Sequence, residues 1–295
     1  MKKNIERIVV FCMRSLLGRP RLVRIARMLT RGARLDGENR INNNGERLVI
    51  QVALKHASQS GENTVVIDCG ANIGDYTAEV ARQATDLNVT HLSIHAFEPA
   101  SVTFRSLEES AGKISSQISV IVNQMALSDS PGNLKLHVVH EKAGVNSLVQ
   151  TDISPVAYSE TVSVNTLDAY CESREIENVL LLKIDTEGND FNVLAGANKM
   201  MNQGRIELVQ FEYNYRWIYA RKYLRDVFEL IKGKEFCLGK VTNSGIEFYR
   251  DWHPELETFA EGNYLICSHA WRARFPNIEW WGYSVLNKIP KSSAI

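Results

Sequence analysis

The stretch "TVVIDCGANIGDYTAEVARQA", Thr64 to Ala84, decides how the chain is read. Thr64–Asp68 has the composition of a strand, a turn follows with Gly70 and Gly74, and Asp75–Ala84 has helical spacing. In an open α/β sheet, ligands bind outside the carboxyl ends of the strands. Glycines at such an end let the backbone approach a ligand and leave amides free at the start of the next helix. A tight strand–helix connection also needs glycine for its own geometry, so the turn alone leaves a packing reading open.

Outward from this joint the pattern alternates. Strand-like runs at His91–Phe97, Ile118–Asn123, Val179–Asp185 and Ile206–Tyr213 are interleaved with helical patterns at Ser101–Ala111, Phe191–Met201 and Tyr223–Ile231. Leu134–Val139 and Thr161–Val164 suggest an antiparallel pair, and Glu235–Lys240, Gly245–Tyr249 and Tyr264–Cys267 supply strands toward the end. "VLLLKID", Val179–Asp185, is apolar enough for a strand buried on both faces. Strands separated by helices predict a doubly wound, mostly parallel sheet. The organisation expected is a basic helical arm and joint over 1–45, a catalytic domain over 46–270, and an aromatic tail over 271–295.

The spacing narrows the ligand. Glu98 ends the second strand, 24 residues after Gly74, where a carboxylate can accept both hydroxyls of a ribose. Nicotinamide cofactors require GxGxxG, whereas here Gly70 and Gly74 are spaced GxxxG; the GxxxxGK[ST] phosphate loop is absent. Asp68 stands before the first glycine. It would repel a pyrophosphate and attract the ammonium and sulfonium of S-adenosylmethionine. The third strand leads into "ALSDSPG", where adenine can lie against Met125 and Ala126. The fourth ends in "KIDTEGND", Lys183–Asp190, whose bland reading is a helix N-cap through Asp185 or Asn189.

The segments "VVIDCGANIGDYT", "HAFEP", "ALSDSPG", "VSVNTLDAYC", "LLKIDTEGNDFNVLAGA" and "IELVQFEYN" resemble, in order and spacing, the FkbM family of S-adenosylmethionine-dependent methyltransferases. The resemblance covers about Val65 to Cys267. It implies the class I methyltransferase fold, a Rossmann-like seven-stranded sheet that is mostly parallel with one antiparallel edge strand. It also implies O-methylation of a hydroxyl on a glycan, lipid-linked sugar or secondary metabolite. The family commonly has Glu where this chain has Asp190. The expected cofactor set is Asp68, Gly70, Asn72, Gly74, Tyr76, Thr77, Glu98, Met125, Ala126 and Asp185.

Methyl transfer to oxygen needs the acceptor placed in line and its proton removed by a carboxylate or histidine. The catalytic candidates are Asp185, Glu187, Glu212 and, from later loops, His253 and His140. A lone histidine is more often a surface or packing residue, so Glu212, an acid ending a buried strand, is favoured over either. A metal-assisted alternative would place Mg²⁺ on oxygens of Asp185, Glu212 and Asn214. The loop His140–Asp152 is expected to cover the acceptor pocket, with Asn146 and Ser147 facing sugar-like hydroxyls, or else to be an ordinary polar surface loop. Enzymes acting on nucleic-acid bases would usually show an Asn/Asp-Pro-Pro-aromatic segment or a catalytic Cys after the fourth strand, and "DTEG" stands there instead. A methyltransferase acting on RNA or protein, or a non-catalytic binding protein, remains the alternative class.

The 295 residues are 44% hydrophobic and 23% charged, an ordinary globular composition, with a formal net charge of zero. No DNA partner is expected. The average conceals an asymmetry: residues 1–35 carry ten Lys/Arg against one acid, and the remainder is correspondingly acidic. Apolar residues and arginines alternate in this arm at near-helical spacing, which suits an anionic membrane surface. Two helices packed on the acidic body, or a dimer contact, would explain the same pattern. The five dispersed cysteines suggest reduced thiols and a cytoplasmic protein, peripheral on the inner face of a membrane if the arm binds lipid. The start does not read as a signal peptide, and no apolar run reaches the roughly 20 residues of a membrane span.

Overall fold

The computed structural model describes residues 2–36, 40–139, 144, 146–152 and 155–286. The chain divides into two compact units, residues 1–38 and 39–295. The first is a pair of helices, α1 (Lys2–Leu17) and α2 (Arg19–Ala33). Gly18 between them has φ 74° and Pro20 opens α2, where its missing N–H costs nothing.

In the second unit α3 (Glu46–Ser60) leads into β1 (Thr64–Cys69), α4 (Asp75–Asp86), β2 (Leu92–Phe97), α5 (Ser101–Ala111) and β3 (Ser119–Asn123). Next come β4 (Ala126–Leu127), β5 (Gly132–Val138), β6 (Tyr158–Asn165) and α6 (Leu167–Ser173). The central strand β7 (Val179–Ile184) is followed by α7 (Asp190–Gly196), α8 (Asn198–Asn202), β8 (Ile206–Tyr213), α9 (Arg216–Tyr219) and α10 (Leu224–Ile231). The chain then forms β9 (Phe236–Thr242), β10 (Gly245–Tyr249), β11 (Gly262–Ser268), α11 (His269–Arg272), β12 (Asn277–Glu279) and α12 (Gly282–Val285).

The main sheet has the order β12-β10-β9-β11-β8-β7-β1-β2-β3. From β3 to β8 every neighbouring pair is parallel, so the carboxyl ends of five strands share one edge. The doubly wound, mostly parallel class is as expected, but the strand count and edge are corrected. The sheet has nine strands, and the first antiparallel strand, β11, lies inside it between β8 and β9. A two-residue turn returns β10 along β9, and β12 from the C-terminal stretch pairs with β10, so the edge moves outward. A separate small sheet, β4-β6-β5, contains the expected antiparallel pair. The helix expected over Phe191–Met201 breaks at Ala197.

Both faces of the main sheet are covered, which explains the near-continuous apolar strands. Successive side chains alternate between faces. Ile67, Leu182 and Val209 join the core that includes Met200, Trp217 and Val227; Val66, Leu181 and Leu208 join the core containing Val49, Ile50 and Val80. Leu182 is fully buried, so Leu182→Ala should lower unfolding free energy by about 2–5 kcal/mol. Leu134→Ala, at a side chain 44% exposed, should cost less than about 1 kcal/mol. Urea titration of both variants measures the difference.

Candidate active site

The turn after β1 and the turn after β7 meet at the carboxyl edge. Gly70 has φ 86°, and a Cβ there would lie 1.8 Å from the Asp185 carbonyl oxygen. Only glycine admits this approach. The adjoining cleft encloses about 540 Å³, its open mouth included. Gly70, Asn72, Glu98, Met125, Ala126, Asp185 and Glu187 all line it. Asp68, Gly74, Tyr76 and Thr77 do not; they form a second layer. The Thr77 hydroxyl donates to Asp68 Oδ2 at 2.6 Å, and Gly74 at φ 94° starts α4.

Glu98 is 7% exposed and accepts the Asn72 amide at 3.1 Å and the Ala100 amide at 2.8 Å. Burial pushes its carboxyl up to about 7 against the lowering effect of these two bonds. Burial likewise pushes Asp68 up to about 6, opposed by the Thr77 bond and Lys183. Asn72, itself at φ 49°, has a buried Oδ1 with no partner among the described residues; the same holds for the Tyr76 hydroxyl and Thr186 Oγ1. Unpaired buried polar groups are costly, and a bound polar ligand could relieve those of Asn72 and Thr186, which both line the cleft. An acid able to accept a diol, an apolar wall of Met125, Ala126 and Leu127, and a glycine cradle fit S-adenosylmethionine.

The second half of the site is acidic. Carboxylate oxygens of Asp185, Glu187 and Glu212 lie within 4.8 Å of one another. Each has a protein partner. Lys183 Nζ sits 3.0 Å from Asp185 Oδ2, Arg216 Nη1 2.5 Å from Glu187 Oε2, and Asn214 Nδ2 donates to Glu212 Oε2 at 2.6 Å. Burial, then Asp185, raises the Glu187 carboxyl above its usual range, and Arg216 works against them. Burial, then Asp185 and Glu187, raises Glu212 as well. Glu187 adopts φ 55°, a conformation rare outside glycine and frequent at functional turns. Asp190 holds this turn by accepting the Thr186 and Gly188 amides at 3.1 and 3.0 Å.

Other expectations land elsewhere. His253 Nδ1 accepts the Glu255 amide at 3.1 Å and the ring packs on Trp280, so it caps a short helix rather than lining the cleft. Asn214 stays beside Glu212, donating to its Oε2 while its own Oδ1 accepts the Arg216 amide, and the acids that converge include Glu187 as well as Asp185 and Glu212. Asn189 starts α7 without a side-chain cap bond; its amide donates to the Leu127 carbonyl. Asn146 and Ser147 do line the cleft, but Asn146 Oδ1 accepts the Val139 amide and Ser147 Oγ donates to the Glu187 carbonyl. His140 lies outside the described residues. The residues missed from sequence are Glu46, Arg216 and Asn263. Lys183 Nζ lies 3.0 Å from Glu46 Oε1 and donates to Asn263 Oδ1 at 3.3 Å. The only signal for such partners was Lys183 itself, a cation inside an apolar strand, which must be paired.

The profile described as Methyltransferase FkbM domain matches residues 68–252. The hexuronic acid methyltransferase AglP of Haloferax volcanii is 24% identical over 205 residues, covering 68% of this chain and 78% of that protein. Among solved structures, the Methyltransferase FkbM from Methylobacillus flagellatus aligns with TM-score 0.43 and 13% identity over 70% of this chain; the chain spans 43% of that one. The precorrin-6y C5,15-methyltransferase from Geobacter metallireducens aligns with TM-score 0.35 and 8% identity, over 72% of this chain and 88% of that one.

A titration follows from Glu98. In the free protein its carboxyl keeps a proton up to about pH 7, whereas a ribose diol donating to it favours the ionised form. Binding of a ligand that donates to this carboxylate would therefore release a proton. The affinity for S-adenosylhomocysteine should rise between about pH 6 and about pH 8 and level off above the folded pKa. Calorimetry in two buffers of different ionisation enthalpy should record the proton, and Glu98→Gln should bind more weakly with a flatter profile.

Proposed function

Because the chain belongs to the methyltransferase FkbM family, we propose that it transfers a methyl group from S-adenosylmethionine to a hydroxyl oxygen of a saccharide. The observation that carries the oxygen-directed reading is the convergence of Asp185, Glu187 and Glu212 beside the cleft. A hydroxyl must lose its proton as it attacks, and a carboxyl raised toward neutrality by burial can take that proton and hold it. The name of the Haloferax relative supports a sugar acceptor, with a hexuronic acid as the first to try. Lipid-linked sugars and hydroxylated secondary metabolites are the neighbouring substrate classes.

When bound, S-adenosylmethionine supplies a methyl carbon already activated by its sulfonium. The rest is the work of the chain. Glu98 would accept the ribose hydroxyls, Met125 and Ala126 would give the adenine an apolar wall, and Gly70 leaves room for the backbone to approach. Asp68, behind that wall, contributes negative potential toward a cationic ligand. Lys183 fixes Asp185, and Arg216 fixes Glu187 and offsets its charge. Glu212 is 2% exposed and held by Asn214, so its position is defined before an acceptor arrives. Asp185 and Glu187 line the cleft, and Glu187, whose carboxyl burial raises, is the base in this reading, with Glu212 behind them.

Methyl-labelled donor supplied with uronic-acid saccharides and neutral glycans should give a labelled saccharide whose label resists mild base, as an ether does and an ester does not. Glu187→Gln should lower kcat by about 10²–10³-fold while leaving S-adenosylhomocysteine affinity within a fewfold of the parent. Transfer should persist in excess chelator, because each of the three acids already has a side-chain partner in Lys183, Arg216 or Asn214. Label appearing on RNA or protein and on no saccharide would overturn the reading.

A further inference from the structure

Residues 1–38 form a unit whose surface differs from the rest of the chain. Of the seventeen large apolar side chains exposed among the described residues, ten lie between Ile5 and Leu29. They include Phe11 at 60%, Met28 at 64% and Leu16 at 83%. The same stretch belongs to the segment with ten Lys/Arg and one acid. In α2, helical geometry puts Leu22, Ile25 and Leu29 on one side and Arg24, Arg27 and Arg31 on the other. In α1, Ile5, Val9 and Leu16 share a side opposite Arg7 and Arg14.

From this arrangement we infer that the α1–α2 pair docks on the surface of a bilayer rich in anionic phospholipid. Charge selects the partner. A second copy meeting it arm to arm would bring the same excess of cations, and the two would repel. The acidic body of a second copy would meet the arginines but offers, among the described residues, only six exposed large apolar side chains, scattered between Leu134 and Val285. A nucleic acid would satisfy the arginines and leave Val9, Phe11 and Leu16 against water. An anionic bilayer takes both, with apolar side chains entering the acyl boundary and arginines at the phosphates. No described helix is long and apolar enough to cross a membrane, so the pair lies on the surface. The inference does not depend on the methyl acceptor, since vesicle binding and transfer can fail separately.

The test is co-sedimentation of the full chain with vesicles of phosphatidylcholine alone or mixed with phosphatidylglycerol. The chain should sediment with the mixed vesicles, much less with phosphatidylcholine, and less as salt shortens the Debye length from its value of about 8 Å at 0.15 M. Arg24→Glu with Arg27→Glu and Arg31→Glu should lower partitioning by at least about a hundredfold. Val9→Asp with Leu16→Asp should lower it by at least about tenfold. The unfolding midpoint of each variant, measured without vesicles, should match the parent, which separates lost docking from lost folding. Parent chain left in the supernatant with mixed vesicles overturns the inference, as does unchanged binding by either well-folded variant. A dimer in the ultracentrifuge that only the Val9/Leu16 variant dissociates, without vesicle binding, assigns the face to a second copy and also overturns it.

Discussion

A buried ammonium group sets the terms for the candidate site. Lys183, 2% exposed on the central strand β7, stands 3.0 Å from carboxylate oxygens of both Glu46 and Asp185. Burial by itself would lower its pKa; Asp185, Glu46 and Glu212 hold it well above the usual lysine range instead. The charge is therefore permanent, and removing it would leave Glu46 uncompensated in the interior and Asp185 without its partner at the cleft. Gln210 extends the same cluster by donating to Glu46 at 3.2 Å and to Asn263 at 3.0 Å. One cation thus ties α3, β7, β8 and β11 together and orients an acid of the cleft.

The site shows two kinds of constraint working together. Backbone approach at Gly70 brings the β1 turn onto the β7 turn, and at Gly188 a Cβ would come within 2.9 Å of Arg216 Cβ. Electrostatics then acts on groups that packing has placed. Burial raises Glu98, Glu187 and Glu212, while fixed cations and amides keep each from leaving its position. A donor bearing positive charge and a diol would complete what these groups lack. A carboxyl held near neutrality beside them suits proton removal from a hydroxyl.

The Thr64–Ala84 joint, the alternation of strands and helices, and the acids at strand ends were legible because local chemistry dictates them. Gly70 and Glu98 could be recognised from residue type and spacing. The partners of Lys183 could not, since Glu46 and Asn263 are brought to it only by tertiary packing. Asp68 was expected on the cleft wall but sits behind it, bonded to Thr77. A strand's alternation fixes which face a side chain takes, but not which side chain then reaches the ligand. The position of the antiparallel strand also escaped sequence reading. It depends on the β9–β10 hairpin and on β12, a three-residue strand with no periodic signal of its own.

The most direct test is a comparison of Lys183→Met with Lys183→Met/Glu46→Gln for stability and for methyl transfer. The single substitution should cost about 3–5 kcal/mol, because it strands Glu46 and Asp185 without their cation. The double variant should recover a large part of that stability, since one buried charge is gone, and yet remain poor in transfer because Asp185 still lacks its partner. A Lys183→Met protein as stable and as active as the parent would contradict the account.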